Sequence, residues 1–138
     1  MPFNIDWQTI DDVLLDMDGT LLDLHYDATF WLKTVHSIVA NFAGESENEI
    51  RDRFQNELKK HEGTLAWYCT DRWAEFFGID LIEAKKQLAH LIRYRPHAKQ
   101  FLEALRPLPL RTIIATNAHP DVIQLKLDVV PLSTLVDG

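Results

Sequence analysis

Cysteine is almost absent from the sequence, which contains only Cys69. A single thiol excludes an internal disulfide and is typical of proteins from a reducing compartment. Long apolar runs are missing as well, because no segment approaches the roughly 20 consecutive apolar residues that a membrane-spanning helix needs. The first ten residues also lack the basic start and the apolar centre of a secretion signal. We therefore expect a cytoplasmic protein that does not enter a membrane.

Basic residues are scarce relative to acidic ones. The chain has 21 aspartates and glutamates against 14 lysines and arginines, which gives a formal net charge of -7. Proteins that bind duplex nucleic acid usually carry a basic face, so we expect no such partner here. The six histidines include no pair at the spacing of a zinc motif. A length of 138 residues with 46% hydrophobic content suits one globular domain.

The strongest chemical pattern follows the apolar run Val13-Leu14-Leu15, which predicts a strand buried within a parallel sheet. Asp16 and Asp18 come directly after this run, and Gly19 allows a sharp turn. Asp16 can act as a nucleophile toward phosphorus, while Asp18 can protonate the leaving oxygen and then activate water. Two neighbouring carboxylates repel each other unless a cation lies between them, and oxygen ligands suit Mg²⁺. The motif therefore implies magnesium.

A second polar pair follows another apolar run. Leu110 to Ala115 predicts a second strand, and Thr116 and Asn117 stand directly after its end. Because the carboxyl ends of parallel strands meet at one edge of a sheet, we expect this pair to face the same site as Asp16. The Thr116 hydroxyl and nearby backbone amides are then candidates for binding a phosphate. Residues 135–136 hint at a third strand.

Between the two strands, residues 24–95 have the pattern of successive helices. An apolar stripe from Trp31 to Phe42 predicts the first helix. A capping box at residues 46–49 predicts the second, and a similar pattern at residues 80–83 predicts a later one that continues to Ile92. This insertion is too long to be a simple crossover between strands, so we interpret it as a cap.

The stretch Asp16-Met17-Asp18-Gly19-Thr20-Leu21 resembles the first signature of the haloacid dehalogenase-like phosphohydrolases, and Thr116-Asn117 resembles the second. The closer resemblance is to the bacterial GMP/IMP nucleotidase branch of that family. It runs through nearly the whole chain, at Trp7, Leu14 to Asp23, Phe30-Trp31, Thr64 to Cys69, Asp71, Trp73, Phe101 to Leu105 and Thr116 to Pro120.

The resemblance implies a fold as well as a chemistry. The expected fold is α/β, with a Rossmann-like parallel sheet that is incomplete at the C-terminus. Residues 1–23 and 96–138 would form this partial core. Residues 24–95 would form an inserted helical cap, which in the family closes over the phosphate site and selects the substrate.

The resemblance further implies a Mg²⁺-dependent phosphomonoesterase that acts through an aspartyl-phosphate intermediate. Its substrate would be a small phosphorylated metabolite, with the purine nucleotides GMP and IMP expected and sugar phosphates as the alternative class. The expected catalytic residues and metal ligands are Asp16 and Asp18. The expected phosphate-binding residues are Met17, Thr116 and Asn117. The expected cap residues in contact with a base are Trp67 and Tyr68.

Two motifs that such phosphohydrolases use have no counterpart in this sequence. They are a lysine after the third strand and a pair of acids after the fourth. Lys126 stands too close behind Asn117, within a predicted helix, to match that lysine. The chain therefore resembles a truncated member of the family, in which one edge of the first strand lacks its neighbour. An active phosphatase is one interpretation, and a noncatalytic remnant or one half of a split protein is the other.

Overall fold

The computed structural model describes residues 4–138. Its strands are β1 at Asp12–Leu15 and β2 at Arg111–Ile114. The α-helices of this part of the chain are α1 His25–Thr29, α2 Val35–Ala43, α3 Glu47–His61, α4 Thr70–Phe77, α5 Leu81–Lys86, α6 Ala98–Leu105 and α7 Pro120–Val129. A π-helical turn at Phe30–Thr34 joins α1 to α2, and 3-10 turns occur at Trp7–Thr9, Leu65–Tyr68, Ala89–Leu91 and Leu132–Thr134. None of the described helices is both long and apolar enough to cross a membrane.

The two strands lie side by side in a parallel sheet, as predicted. Val13 is opposite Thr112 and Leu15 is opposite Ile114. Directly after β2, the Ala115 N–H donates a hydrogen bond of 2.8 Å to the Leu15 carbonyl oxygen. The two strands therefore end together, which sets their following residues side by side.

Residues 137–138 lie along the other side of β2. The Asp137 N–H donates to the Thr112 carbonyl oxygen, and the Ile114 N–H donates to the Gly138 carbonyl oxygen, each at 2.8 Å. The Asp137 carboxylate also accepts the Thr112 N–H at 2.8 Å. These bonds attach residues 137–138 to β2, but the sheet of the described chain has two strands and residues 135–136 do not form the third one that the sequence suggested.

The opposite edge of β1 has no strand partner within residues 4–138. The carbonyl oxygens of Asp11 and Leu15 accept hydrogen bonds from the N–H groups of Arg111 and Ala115. Because backbone groups alternate along a strand, those of Leu14 point away from β2. The Leu14 side chain is 65% exposed and Val13 and Leu15 are only half-buried, so the prediction of a buried strand is wrong for the described chain. The described chain therefore presents an open strand edge with an apolar residue at its centre.

Local sequence signals place several helix ends correctly. Gly44 ends α2 with a φ of 69°. Ser46 and Glu49 form the predicted reciprocal capping box at the start of α3. The Asp80 carboxylate accepts the Glu83 N–H at 3.0 Å, at the start of α5. The two capping predictions, at residues 46–49 and 80–83, are confirmed.

Two helix predictions are wrong in part. Helix α5 ends at Lys86 instead of continuing to Ile92, and the 3-10 turn Ala89–Leu91 follows it. Phe42 was expected on the buried stripe of the first helix, but its side chain is 74% exposed. The predicted stripe holds at Val35 and Val39, which are buried, but Phe42 lies in the last turn of α2 and belongs to neither hydrophobic cluster.

Buried side chains form two hydrophobic clusters. The first cluster comprises Met17, Leu21, Leu22, Tyr26, Ile92, Ala98, Leu102, Leu125, Val130 and Leu132. The second cluster comprises Phe30, Val35, Val39, Ile50, Phe54, Trp73, Phe77, Leu81 and Ala84. All residues of the second cluster lie within residues 24–95, the segment predicted as a cap. The first cluster combines Tyr26 and Ile92 of that segment with residues of the predicted core. The division into core and cap therefore stays a prediction.

Replacing Leu14 with lysine should reduce self-association of the chain, because a charged side chain at an open strand edge discourages pairing with a second chain. Light scattering at increasing protein concentration measures the effect. Phe42→Lys is the matched control, since Phe42 is comparably exposed but lies on a helix. Equal reductions in both variants would contradict a role for the β1 edge.

Candidate active site

A turn directly after β1 carries Asp16 and Asp18. Gly19 adopts a φ of 82°, a backbone conformation that favours glycine. Its N–H donates to the Leu22 carbonyl oxygen at 2.8 Å, and a Cβ at this position would lie 3.1 Å from the Leu24 side chain. This turn leaves Asp16 exposed and Asp18 half-buried.

Thr116 and Asn117 follow β2 in the same way. Because β1 and β2 end together, both residues line a single cavity of about 570 Å³ with Asp16 and Asp18. The Thr116 hydroxyl accepts the Ala118 N–H at 3.1 Å, which orients the threonine at the start of its loop. The structure therefore brings together four of the polar residues expected around a phosphate.

Aromatic side chains form much of the remaining cavity wall. Trp67 and Tyr68, the expected base contacts, both line the cavity and are 36% and 47% exposed. Trp31 stacks on Phe54 with ring centroids 5.7 Å apart and ring planes at 7°. The Trp73 indole N–H donates to the Trp67 carbonyl oxygen at 2.8 Å and holds that segment in place. The wall therefore offers flat apolar surface to a ligand.

Met17 differs from the other predicted site residues. Its side chain is fully buried in the first cluster, and Met17 does not line the cavity. Its carbonyl oxygen accepts the N–H groups of Leu21 at 3.0 Å and Leu22 at 2.9 Å. The predicted phosphate contact at Met17 therefore rests on its backbone N–H alone.

Lys126, whose position in the sequence does not match the family's lysine, reaches this site. Lys126 Nζ lies 2.6 Å from Asp18 Oδ1 and 2.6 Å from Asp27 Oδ2, and its side chain is 2% exposed. It lies on α7, as predicted, on the buried face that it shares with Val122 and Leu125. Lysines are rarely buried without an oppositely charged partner, so the position of Lys126 on an apolar helix face is the sequence signal that could have indicated an ion pair.

A second buried lysine extends the ion pair. Lys85 Nζ lies 3.4 Å from Asp27 Oδ1 and 4.4 Å from the centroid of the Phe30 ring. Positive and negative charges therefore alternate along Lys85, Asp27, Lys126 and Asp18. We call these four residues the ion chain. It connects α1, α5 and α7 with the turn after β1.

Burial controls the protonation of Asp18. It raises the pKa of the Asp18 carboxyl above its ordinary value, and the Lys126 ammonium opposes this shift without cancelling it. Burial also lowers the pKa of Lys85, against the attraction of Asp27. A carboxyl with a raised pKa keeps its proton to higher pH, which suits a general acid.

The acids at the sheet edge provide the oxygen donors that a hard divalent cation prefers. Asp16 is exposed where it lines the cavity, whereas Asp18 Oδ1 is already bound to Lys126. A different set of potential ligands, Asp71, His119 and Asp121, has its donor atoms within 4.8 Å of one another. Both aspartates of that set are exposed, and no contact in the described chain joins them to Asp16 or Asp18.

A parallel sheet with paired carboxylates after β1 and a Thr-Asn pair after β2 defines an α/β protein with a charged site at its sheet edge. The chain belongs to the haloacid dehalogenase-like hydrolase family, whose model matches residues 10–137. The recognition from the two sequence motifs is thereby confirmed.

Curated relatives share much of the sequence. The chain is 37% identical over 137 residues to the GMP/IMP nucleotidase YrfG of Escherichia coli (strain K12), and equally identical to that of Shigella flexneri. The match covers 99% of this chain and 62% of each relative. The chain therefore spans less than two thirds of the length of these relatives.

Solved structures share the fold. A crystal structure of a HAD phosphatase from Thermococcus onnurineus matches with a TM-score of 0.79 and 25% identity, covering 93% of this chain and 60% of that one. A putative beta-phosphoglucomutase from Thermotoga maritima matches with a TM-score of 0.60 and 18% identity, covering 93% and 59%. These matches confirm the predicted Rossmann-like architecture.

Replacing Lys126 with methionine should lower the free energy of unfolding by about 1–3 kcal/mol, because it leaves the half-buried carboxylates of Asp18 and Asp27 without the ammonium that they share. Urea unfolding measures the change. Lys99→Met serves as the control, since Lys99 lies 3.8 Å from Glu103 on an exposed helix face, where an ion pair contributes about 0.5 kcal/mol or less. Similar stabilities for both variants would show that the ion chain contributes little.

Proposed function

We propose that this chain is a Mg²⁺-dependent phosphomonoesterase that hydrolyses purine nucleoside monophosphates through an aspartyl-phosphate at Asp16. The observation that carries the proposal is the single cavity lined by Asp16, Asp18, Thr116 and Asn117. Membership of the haloacid dehalogenase-like hydrolase family supports the reaction class.

Asp16 supplies the attacking oxygen in the proposed reaction. Its carboxylate forms a bond to phosphorus while the bond from phosphorus to the leaving oxygen breaks. Asp18 gives its proton to that oxygen and then takes one from the water that attacks phosphorus. The second displacement releases inorganic phosphate and restores the Asp16 carboxylate. The Thr116 hydroxyl and the Asn117 side chain orient the phosphate oxygens.

Asp16 and Asp18 are the residues that would hold Mg²⁺. When bound, the ion supplies positive charge that offsets the charge of the phosphate oxygens during displacement. Asp16 is the more accessible of the two ligands, because Asp18 is half-buried and paired with Lys126. Asp18 is therefore proposed in two roles, as a residue that would hold the ion and as the group that transfers the proton.

The proposed substrate class follows from the cavity wall and the curated relatives. Ligand pockets that hold small molecules measure roughly 300–1,000 Å³, and the cavity of about 570 Å³ falls in this range. Trp67 and Tyr68 offer exposed rings on which a purine base could stack. The relatives from Escherichia coli and Shigella flexneri are named GMP/IMP nucleotidases. Residues 24–95, which carry these rings, would act as the cap that selects the substrate.

Replacing Asp16 with asparagine should reduce Mg²⁺-dependent phosphate release from GMP and IMP by about a thousandfold or more, because the nucleophile is lost. A phosphate assay on the purified chain, with and without Mg²⁺, measures the rate. Asp11→Asn is the control, since Asp11 is exposed and does not line the cavity. A native rate in the Asp16 variant would exclude the mechanism. No Mg²⁺-dependent release from the native chain would favour the noncatalytic remnant or split half.

Replacing Trp67 with alanine should raise KM for GMP about tenfold, since an aromatic platform for one base contributes roughly that factor. KM for a hexose phosphate should change much less, because a hexose has no aromatic face to stack on the indole ring. Phe101→Ala is the control, because Phe101 is 42% exposed and lies outside the cavity. A native chain that hydrolyses hexose phosphates faster than GMP or IMP would replace the nucleotide proposal with the sugar-phosphate alternative.

A further inference from the structure

Lys126 places a positive charge at Asp18, a carboxylate that would also hold the proposed divalent cation. Its ammonium is 2.6 Å from Asp18 Oδ1 and 2.6 Å from Asp27 Oδ2, so one cation bridges two carboxylates. The side chain is 2% exposed, which keeps water from screening the contact. A metal ion that approaches Asp18 would therefore meet an ammonium already bound there.

Asp27 gives this ammonium a second partner that does not belong to the sheet edge. It lies on α1, and its other oxygen is 3.4 Å from Lys85 Nζ. If Lys126 loses Asp18, its charge stays paired with Asp27, so no buried ammonium is left without an opposite charge. Asp18 can therefore exchange Lys126 for a metal ion without leaving the Lys126 ammonium buried and unpaired.

We propose that Lys126 is a positioning residue which holds Asp18 toward Asp27 when the divalent site is empty, and that Mg²⁺ binding displaces Lys126 from Asp18. This inference rests on the proposed function, because it takes Asp16 and Asp18 as the residues that hold the metal. It adds that Lys126 and Asp27, on α7 and α1, set the affinity of that site. Lys126 touches neither substrate nor metal in this role.

The ion chain provides a control that separates competition from simple charge repulsion. Lys85 is a second buried ammonium in contact with Asp27, but no contact joins it to Asp18. General repulsion between a metal ion and nearby positive charge predicts that removing either lysine lowers the Kd for Mg²⁺ by a similar factor. Competition for Asp18 predicts that only the removal of Lys126 lowers the Kd for Mg²⁺ strongly.

The test is the Kd for Mg²⁺ without substrate, measured by calorimetric titration and by the rise in Tm with Mg²⁺ concentration. The main variant combines Lys126→Met with Asp27→Asn, which removes one charge of each sign and so leaves the net charge of the ion chain unchanged, while the amide oxygen introduced at position 27 can still accept the hydrogen bond of Lys85. We expect its Kd to fall about tenfold or more relative to the native chain, as expected when a hydrogen bond between charged groups no longer has to be broken. Circular dichroism confirms that the variant is folded before titration.

Two further variants complete the test. Lys126→Arg retains the charge next to Asp18 and should keep Kd close to the native value, whereas Lys85→Met should change it much less than the double variant does. Equal Kd values for the native chain and the double variant would overturn the inference and leave the proposed function intact. A tenfold fall in Lys85→Met as well would also overturn it, in favour of general repulsion. No Mg²⁺ binding by any of these chains would overturn both the inference and the magnesium site of the proposed function.

Discussion

The parallel pairing of β1 with β2 is the constraint on which the site depends. Leu15 lies opposite Ile114, and the next hydrogen bond joins Ala115 to Leu15. The residues that follow each strand must then emerge at one edge of the sheet. A shift of one residue in this pairing would separate the carboxylates after β1 from the Thr-Asn pair after β2, and it would turn the side chains of one strand to the opposite face.

The ion chain is the second constraint, because it joins helices that are distant in sequence to the turn after β1. Burying a charge is costly unless an opposite charge offsets the loss of water. Lys126 and Lys85 are each 2% exposed, and both contact Asp27. Helices α1, α5 and α7 are therefore positioned so that each of the four charges contacts an opposite charge. The same contacts place a raised-pKa carboxyl, Asp18, next to the exposed Asp16.

Local patterns in the sequence predict the sheet and much of the candidate site. Strand β1 consists of Asp12 and the predicted run Val13-Leu14-Leu15. The acids after it line the cavity with Thr116 and Asn117. These features depend on neighbours in the chain and on a general rule for parallel strands, so no tertiary detail is needed to predict them. Phe42 was misplaced because the helical period alone does not show where the surrounding core ends: Val35 and Val39 on the same stripe are buried, whereas Phe42 in the last turn of α2 is exposed.

The contacts of Lys126 could not be predicted in the same way. Its partner Asp18 is 108 residues away and its partner Asp27 is 99 residues away. The spacing of Lys126 from Asn117 does not match that of the family's lysine, but spacing along the chain does not report which helix face meets the sheet edge. The position of Met17 has a related explanation, since alternation along the chain turns its side chain into the first cluster while its neighbours face the cavity.

The most direct test of the account is chemical trapping of the phosphorylated carboxyl. The chain would be mixed with Mg²⁺ and a substrate nucleotide, quenched in acid and treated with borohydride, which reduces an acyl phosphate to an alcohol. Mass spectrometry of the peptides then locates the reduced residue. The account predicts reduction at Asp16, with none in a sample that lacks nucleotide. Reduction at Asp18, or at no residue while phosphate is being released, would contradict it.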